Sequence, residues 1–315
     1  MKKIDTLFKD NETLKSERSK IVQELLNNVI LKRYLMQEAI EPNIVKKYPM
    51  RFLRLVEQLE ICERCSGLDH CSLANKGHYQ ALVNDGMLKS VYRPCRYQLQ
   101  YEKDNAHLKK YLINDLPDEM RSITLGSIEL TQENNKLYLE AVKKIWDWLD
   151  HQTSKGLYLH GPVGTGKTYL LACIANNFAK RAQTVVFVHT PKLLVRLKAA
   201  FGDDDEQEDI MSALIEADLL ILDDIGAEPV TGWYRDEILA TILNERMTKQ
   251  RLTCFSSNLD LKELEINFKY NQKGEVDELK AQRIMERIRM LADPIMVPGN
   301  NRRFKLISLP KSEDK

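Results

Sequence analysis

Positions 161 to 169 read Gly161-Pro162-Val163-Gly164-Thr165-Gly166-Lys167-Thr168-Tyr169, a glycine-rich turn that closes on a lysine and a hydroxyl. Glycines at this spacing let the backbone wrap a polyphosphate with its N–H groups turned inward, which is the chemistry of the pattern G-x-x-x-x-G-K-[ST]. Lys167 can then reach the β- and γ-phosphates, and Thr168 can ligate Mg²⁺. The ligand implied is ATP or a similar nucleoside triphosphate with its Mg²⁺.

Such a turn needs a strand to deliver it and a helix to follow it. Gly156 to His160 has the apolar character of a short buried strand, and Tyr169 to Ala179 has that of a helix whose positive end faces the phosphates. Further along, Leu219-Leu220-Ile221-Leu222 runs into Asp223-Asp224, as expected of a buried parallel strand that carries acids to the sheet's carboxyl edge. Asp223 is expected to serve Mg²⁺, directly or through water, and Asp224 to orient and polarise an attacking water. A third strand, Leu252 to Ser257, ends at Asn258, which from a neighbouring strand can touch the γ-phosphate or that water.

A second chemistry is carried by four of the six cysteines, Cys62, Cys65, Cys71 and Cys95. Cys62-Glu63-Arg64-Cys65 is a C-x-x-C knuckle able to chelate one Zn²⁺ from a tight turn, and Cys95 can close the site. The fourth ligand has three candidates. Cys71 is the softer donor but crowds the knuckle, so the expected set is Cys62, Cys65, His78 and Cys95, with Cys71 the alternate and His70 a poorer choice. No thioredoxin-like pattern surrounds the knuckle, which argues against a redox pair, and a saturated ligand set points to a structural metal.

The 315 residues suggest about two domains, and 43% hydrophobic content suffices for ordinary cores. A net charge of +1 excludes a global basic field, so any contact with DNA has to come from local patches. No run of about 18 apolar residues and no signal-like amino terminus is present, so a cytoplasmic protein with no membrane contact is expected. The boundaries expected are residues 1–103 for a helical, zinc-binding amino-terminal domain, 104–122 for a polar linker and 123–315 for the nucleotide-binding domain. Asp203 to Asp209 is an acidic run suited to capping the helix after it.

Near the carboxyl end, Arg283, Arg287 and Arg289 share one helix, and Arg302 and Arg303 follow in Gly299-Asn300-Asn301-Arg302-Arg303. Arginines so placed suit insertion into a neighbouring subunit's triphosphate site. Together with GPVGTGKT at 161–168, LLILDDIGAE at 219–228, SSN at 256–258 and RIMERIRMLADPI at 283–295, these residues make the chain resemble the AAA+ ATPases. Within them it is most similar to the bacterial replicative helicase loaders of the DnaC/DnaI type. The cysteine segment matches the amino-terminal domain of DnaI-like loaders, so the resemblance spans nearly the whole chain.

The resemblance implies an α/β fold, an AAA+ P-loop NTPase with a parallel central sheet, preceded by a small, mostly helical zinc-binding domain. It implies that Lys167, Thr168 and Asp223 bind ATP·Mg²⁺, that Asp224 serves hydrolysis and that Asn258 is the first sensor. Arg287 falls at the arginine-finger position and Arg303 at the second-sensor position. Asp224 departs from the glutamate common in AAA+ relatives, and its reach is shorter. The implied partners are a hexameric replicative DNA helicase, docked by the amino-terminal domain, and single-stranded DNA. Self-association through the ATPase domain is also implied, with the helix carrying Lys192, Arg196 and Lys198 lying where this branch touches DNA. Two other functions fit the core motifs: a transposition-associated ATPase of the IstB type, and a nucleotide-binding adaptor with little turnover.

Overall fold

The computed structural model describes residues 4–128, 136–151, 154–270 and 276–301. Contacts divide the chain into two units, Met1–Asp104 and Asn105–Lys315.

In the first unit, α1 (Ile4–Asn27), α2 (Val29–Gln37), α3 (Pro42–Lys47) and α4 (Pro49–Arg64) precede a hairpin of β1 (His78–Asn84) and β2 (Leu88–Pro94), and α5 (Arg96–Asp104) closes the unit. The helix starts are written locally. Asn28 caps α2 by accepting from the N–H groups of Ile30 and Leu31 at 2.9 and 3.0 Å, and Pro42 and Pro49 occupy first turns, where their missing N–H costs nothing. Leu31, Leu35, Val45, Phe52 and Leu55 bury the helices against Ala81 and Leu82 of β1. Tyr34 pins that strand: its hydroxyl donates to Leu82 O at 3.0 Å and accepts from Leu82 N–H at 2.9 Å. Sequence reading expected a mostly helical unit and missed the hairpin. The reason is physical: β2 has no buried residue, so the apolar alternation that announces a strand is absent.

The second unit is built on six parallel strands in the order β3-β5-β6-β7-β4-β8, where β3 is Tyr111–Asn114, β4 Gly156–His160, β5 Val185–His189, β6 Leu219–Asp223, β7 Leu252–Ser257 and β8 Ala292–Met296. The strands β4 to β7 are almost wholly buried because both faces of the sheet are covered. On one face α6 (Lys136–His151) and α7 (Lys167–Lys180) contribute Ile145, Trp148, Leu170 and Phe178; on the other, Leu193, Leu214, Leu243, Leu264 and Ile288 come from α8 (Thr190–Ala199), α9 (Asp204–Glu216), α10 (Ala240–Thr248), α11 (Leu261–Lys269) and α12 (Glu278–Leu291). A seven-residue π-helix, Trp233–Leu239, runs directly into α10. The acidic run does cap α9: Asp203 accepts from Glu206 N–H at 3.0 Å, with Asp204, Asp205 and Glu206 in the first turn.

The segment expected as linker, 104–122, contains the edge strand β3, which pairs in parallel with β5 from Tyr111 to Asn114. Its four half-buried or exposed residues lack the apolar run of the central strands, and polar neighbours hid it. Among the described residues no helix is long and apolar enough to cross a membrane.

Candidate functional site

The parallel order puts the carboxyl ends of β4, β5, β6 and β7 along one edge, where the loops that follow them meet. The turn after β4 takes the shape its glycines permit. Gly161 and Gly164 have φ of 142° and 81°, and a Cβ at either would lie 2.5 Å from Val297 O or 2.2 Å from Asn301 Oδ1. Thr165 is fully buried and donates to Pro162 O at 3.1 Å, Val163 is exposed on the rim, and α7 starts at Lys167 with Thr168 and Tyr169 in its first turn.

Lys167 is only 7% exposed and donates to Gly161 O at 2.8 Å, Pro162 O at 2.9 Å and Asn258 Oδ1 at 2.8 Å. The amide of Asn258 in turn donates to Asp224 Oδ1 at 3.0 Å. Lysine, asparagine and aspartate from three strand ends thus form one chain of hydrogen bonds. Thr168 donates to both oxygens of Asp223 at 3.0 and 3.2 Å, which brings together a hydroxyl and a carboxylate able to hold a divalent cation.

The two adjacent acids face different surroundings because the backbone turns between them. Asp223 ends β6 and is 4% exposed; burial pushes its carboxyl above the usual range, opposed by hydrogen bonds from Ser256 and Thr168. Asp224 steps into the left-handed region at φ 59°, which a short polar side chain tolerates, and its carboxylate turns toward Asn258 and His189. Sequence reading foresaw both acids but not the residues that hold them. Ser256 donates to Asp223 Oδ1 at 2.5 Å and accepts from Asp224 N–H at 2.9 Å. Thr190, fully buried at the start of α8, donates to Asp223 O at 2.9 Å, and His189 Nε2 lies 3.8 Å from Asp224 Oδ2. These residues could have been found only from the strand order, since β5 and β7 flank β6 and their last residues must border its acids.

Arg287 on α12 is half-buried; its guanidinium donates to Arg283 O at 3.3 Å and Asn244 Oδ1 at 3.5 Å, neither of them a residue of the phosphate loop. Arg289 is bound to Glu265 at 2.7 Å. Arg302 and Arg303, the latter expected as second sensor, lie outside the described residues. On α8, Arg196 donates to Asp115 Oδ1 at 2.7 Å, so of the three basic residues there one is engaged inward by an acid.

In the first unit, Cys62, Cys65, Cys71 and Cys95 line one cavity of about 430 Å³. Burial, then the neighbouring Cys95, Cys71 and Cys65, push the Cys62 thiol up. Cys71 Sγ accepts from Gly77 N–H at 3.4 Å, while Cys95 N–H donates to Gly77 O at 2.8 Å, so the Gly77 turn gathers both cysteines. Of the two candidates for a fourth ligand, the structure places Cys71 and not His78 on that cavity. His78 begins β1 with Nδ1 at 3.2 Å from Lys76 O and does not line the cavity. The thiols share the cavity without converging: among the described residues no three His, Cys, Asp or Glu side chains are placed to hold a metal ion.

The sequence profile of the IstB-like ATP binding protein family matches residues 114–308. The replicative helicase loader DnaI of Bacillus subtilis (strain 168) is 33% identical over 274 residues, covering 85% of this chain and 86% of that protein. A crystal structure of DnaI, 34% identical, superposes with a TM-score of 0.52 over 60% of this chain and 98% of that one. A putative primosome component from Streptococcus pyogenes serotype M3 is 33% identical, with a TM-score of 0.50 over 64% of this chain and all of the other, 100%. With the phosphate loop, the acid pair and the parallel sheet in agreement, the chain belongs to the IstB-like ATP-binding proteins of AAA+ fold, among which the replicative helicase loader DnaI is its relative over both units.

Proposed function

We propose that this protein is an ATP-dependent loader that delivers a hexameric replicative DNA helicase onto single-stranded DNA. The observation that carries the reading is the extent of similarity to DnaI. Its 274 aligned residues are more than the unit Asn105–Lys315 contains, so the likeness reaches into the amino-terminal unit. An IstB-type transposition ATPase shares the second unit, where the family profile lies, and does not account for the first.

In this reading the turn 161–168 cradles the triphosphate and Lys167 exchanges its carbonyl partners for phosphate oxygens. Thr168 and Asp223 would hold Mg²⁺, which neutralises charge on the β- and γ-phosphates. Asp224 orients and deprotonates the attacking water, and Asn258 fixes that carboxylate and the γ-phosphate together. Arg287, turned from its own loop, completes the site of a neighbouring copy, so that assembly licenses turnover. Binding and hydrolysis of ATP then switch the loader between holding and releasing the helicase.

The experiment is reconstitution with the purified replicative helicase of the same cell. Co-elution of the two proteins, and ATP-dependent transfer of the helicase onto circular single-stranded DNA, are expected. A chain that forms no complex with the helicase at micromolar concentration, yet hydrolyses ATP, would point instead to the IstB-type function.

The four cysteines suit one structural Zn²⁺ of the Cys₄ kind, closed to substrate, once the thiols lose their protons and draw together. Elemental analysis of the full-length protein is expected to give one zinc per chain. Cys71→Ser should lose most of it and His78→Ala should keep it; zinc lost only with His78 returns the fourth ligand to the histidine.

A further inference from the structure

Four residues past Asp224, Glu228 is only 3% exposed, although no phosphate or metal role is assigned to it. One of its oxygens, Oε2, accepts from Gly226 N–H at 2.8 Å, and the carboxyl also interacts with the Tyr234 hydroxyl. Across from it stands Tyr234, fully buried at the start of the π-helix, its ionisation opposed by burial, by the Glu228 charge and by the hydroxyl's interaction with that carboxyl. A carboxyl so deeply buried is costly, and such a group calls for a reason.

The turn it braces carries Asp224. Asp224 accepts from Ala227 N–H at 3.2 Å, Ile225 N–H donates to Ser256 O at 2.8 Å, and Ser257 Oγ donates to Ile225 O at 2.6 Å. Gly226 is left-handed at φ 89°, its O accepts from Asn267 at 3.1 Å, and a Cβ there would come within 2.7 Å of Leu264. Every N–H from 224 to 227 therefore has an acceptor, and that of Gly226 depends on Glu228 alone.

We propose that Glu228 is a positioning residue for hydrolysis: its carboxyl ties down Gly226, the turn holds its left-handed form, and Asp224 stays aimed at the γ-phosphate side of the site. The proposal rests on the ATPase reading above. Misplacement of a catalytic group by about an ångström costs up to about 10²-fold in rate, so the turn has leverage that its contribution to folding does not reveal.

A pH signature accompanies it. Burial pushes the Glu228 carboxyl up to about 7 from 4.5, with Tyr234 and Asp224 the titratable groups facing it. An acid whose folded-state value is raised makes the fold lose stability as pH climbs from the unfolded value through the folded one. Glutamine cannot ionise and escapes that loss.

The test compares Glu228→Gln, which keeps an acceptor for Gly226, with Glu228→Met, which fills the same volume without one. Steady-state ATP turnover on single-stranded DNA, nucleotide titration and melting near pH 5 and near pH 8 are measured on the full-length protein. Glu228→Met is expected to lower kcat by about tenfold or more with nucleotide affinity unchanged, and Glu228→Gln to restore turnover to within about threefold. Glu228→Gln should also melt above the wild type near pH 8 and together with it near pH 5. An unchanged kcat in Glu228→Met, affinity falling in step with kcat, or equal damage in both variants overturns the positioning role alone. A wild type that binds ATP without turning it over overturns that role and the ATPase reading together.

Discussion

Replacing Asp224 with asparagine will lower ATP turnover by about 10² to 10³-fold while leaving nucleotide affinity nearly unchanged. The two effects separate because the two acids do. In the proposed mechanism affinity rests on the glycine turn, Lys167 and the Thr168–Asp223 pair, whereas the Asp224 side chain faces Asn258 and His189. Asparagine tolerates the left-handed backbone at φ 59° as well as aspartate does, and its amide can still meet Asn258, so the turn survives the exchange. What disappears is the negative charge to which the proposed mechanism gives the water's proton. Titration with a fluorescent nucleotide and a phosphate-release assay on single-stranded DNA read the two quantities independently. Equal losses in both would mean that Asp224 binds nucleotide and that its assignment to water is wrong.

Arg287→Ala is expected to spare nucleotide binding by the isolated chain and to cut assembly-dependent hydrolysis and helicase loading, by as much as about 10³-fold for a finger of full strength. Within its own subunit the guanidinium bonds to Arg283 O and Asn244 Oδ1, and no residue of the phosphate loop is among these partners. In the proposed mechanism its charge acts on a γ-phosphate that another copy brings to it. Mixing tests this directly. Arg287→Ala and Asp224→Asn proteins, each inactive, should regain part of the activity when combined with helicase on single-stranded DNA, because some interfaces then pair an intact site with an intact arginine. If no mixture recovers activity and Arg287→Ala alone weakens ATP binding, the arginine serves its own subunit.

Much of the site was legible before any fold was known, and for a definable reason. A phosphate loop is one continuous segment whose backbone conformation, donors and cation are all local, so GPVGTGKT carries its own chemistry. The strand ending in Asp223-Asp224 is nearly as local, since an apolar run closed by two acids predicts a buried strand that carries acids to the sheet's edge. The hairpin β1–β2 and the edge strand β3 were illegible because neither has the buried alternation or apolar run on which strand reading depends.

The sequence alone therefore determined the ligand class, the apolar strand closed by two acids and the cysteine cluster, all of which rest on short-range spacing. Only the tertiary structure decided the partnerships. It put Cys71 rather than His78 on the cavity of the other three thiols, because the Gly77 turn draws Cys71 inward while His78 starts a strand. It set Ser256, Thr190 and His189 around the acid pair and Glu228 beneath the Asp224 turn. Ser256 and Thr190 stand 33 positions along the chain from Asp223, and their adjacency to it follows from the order β5-β6-β7. Spacing along a chain fixes what one segment can bind. Which side chains share a buried space is fixed by how strands pair, and pairing is a property of the whole sheet.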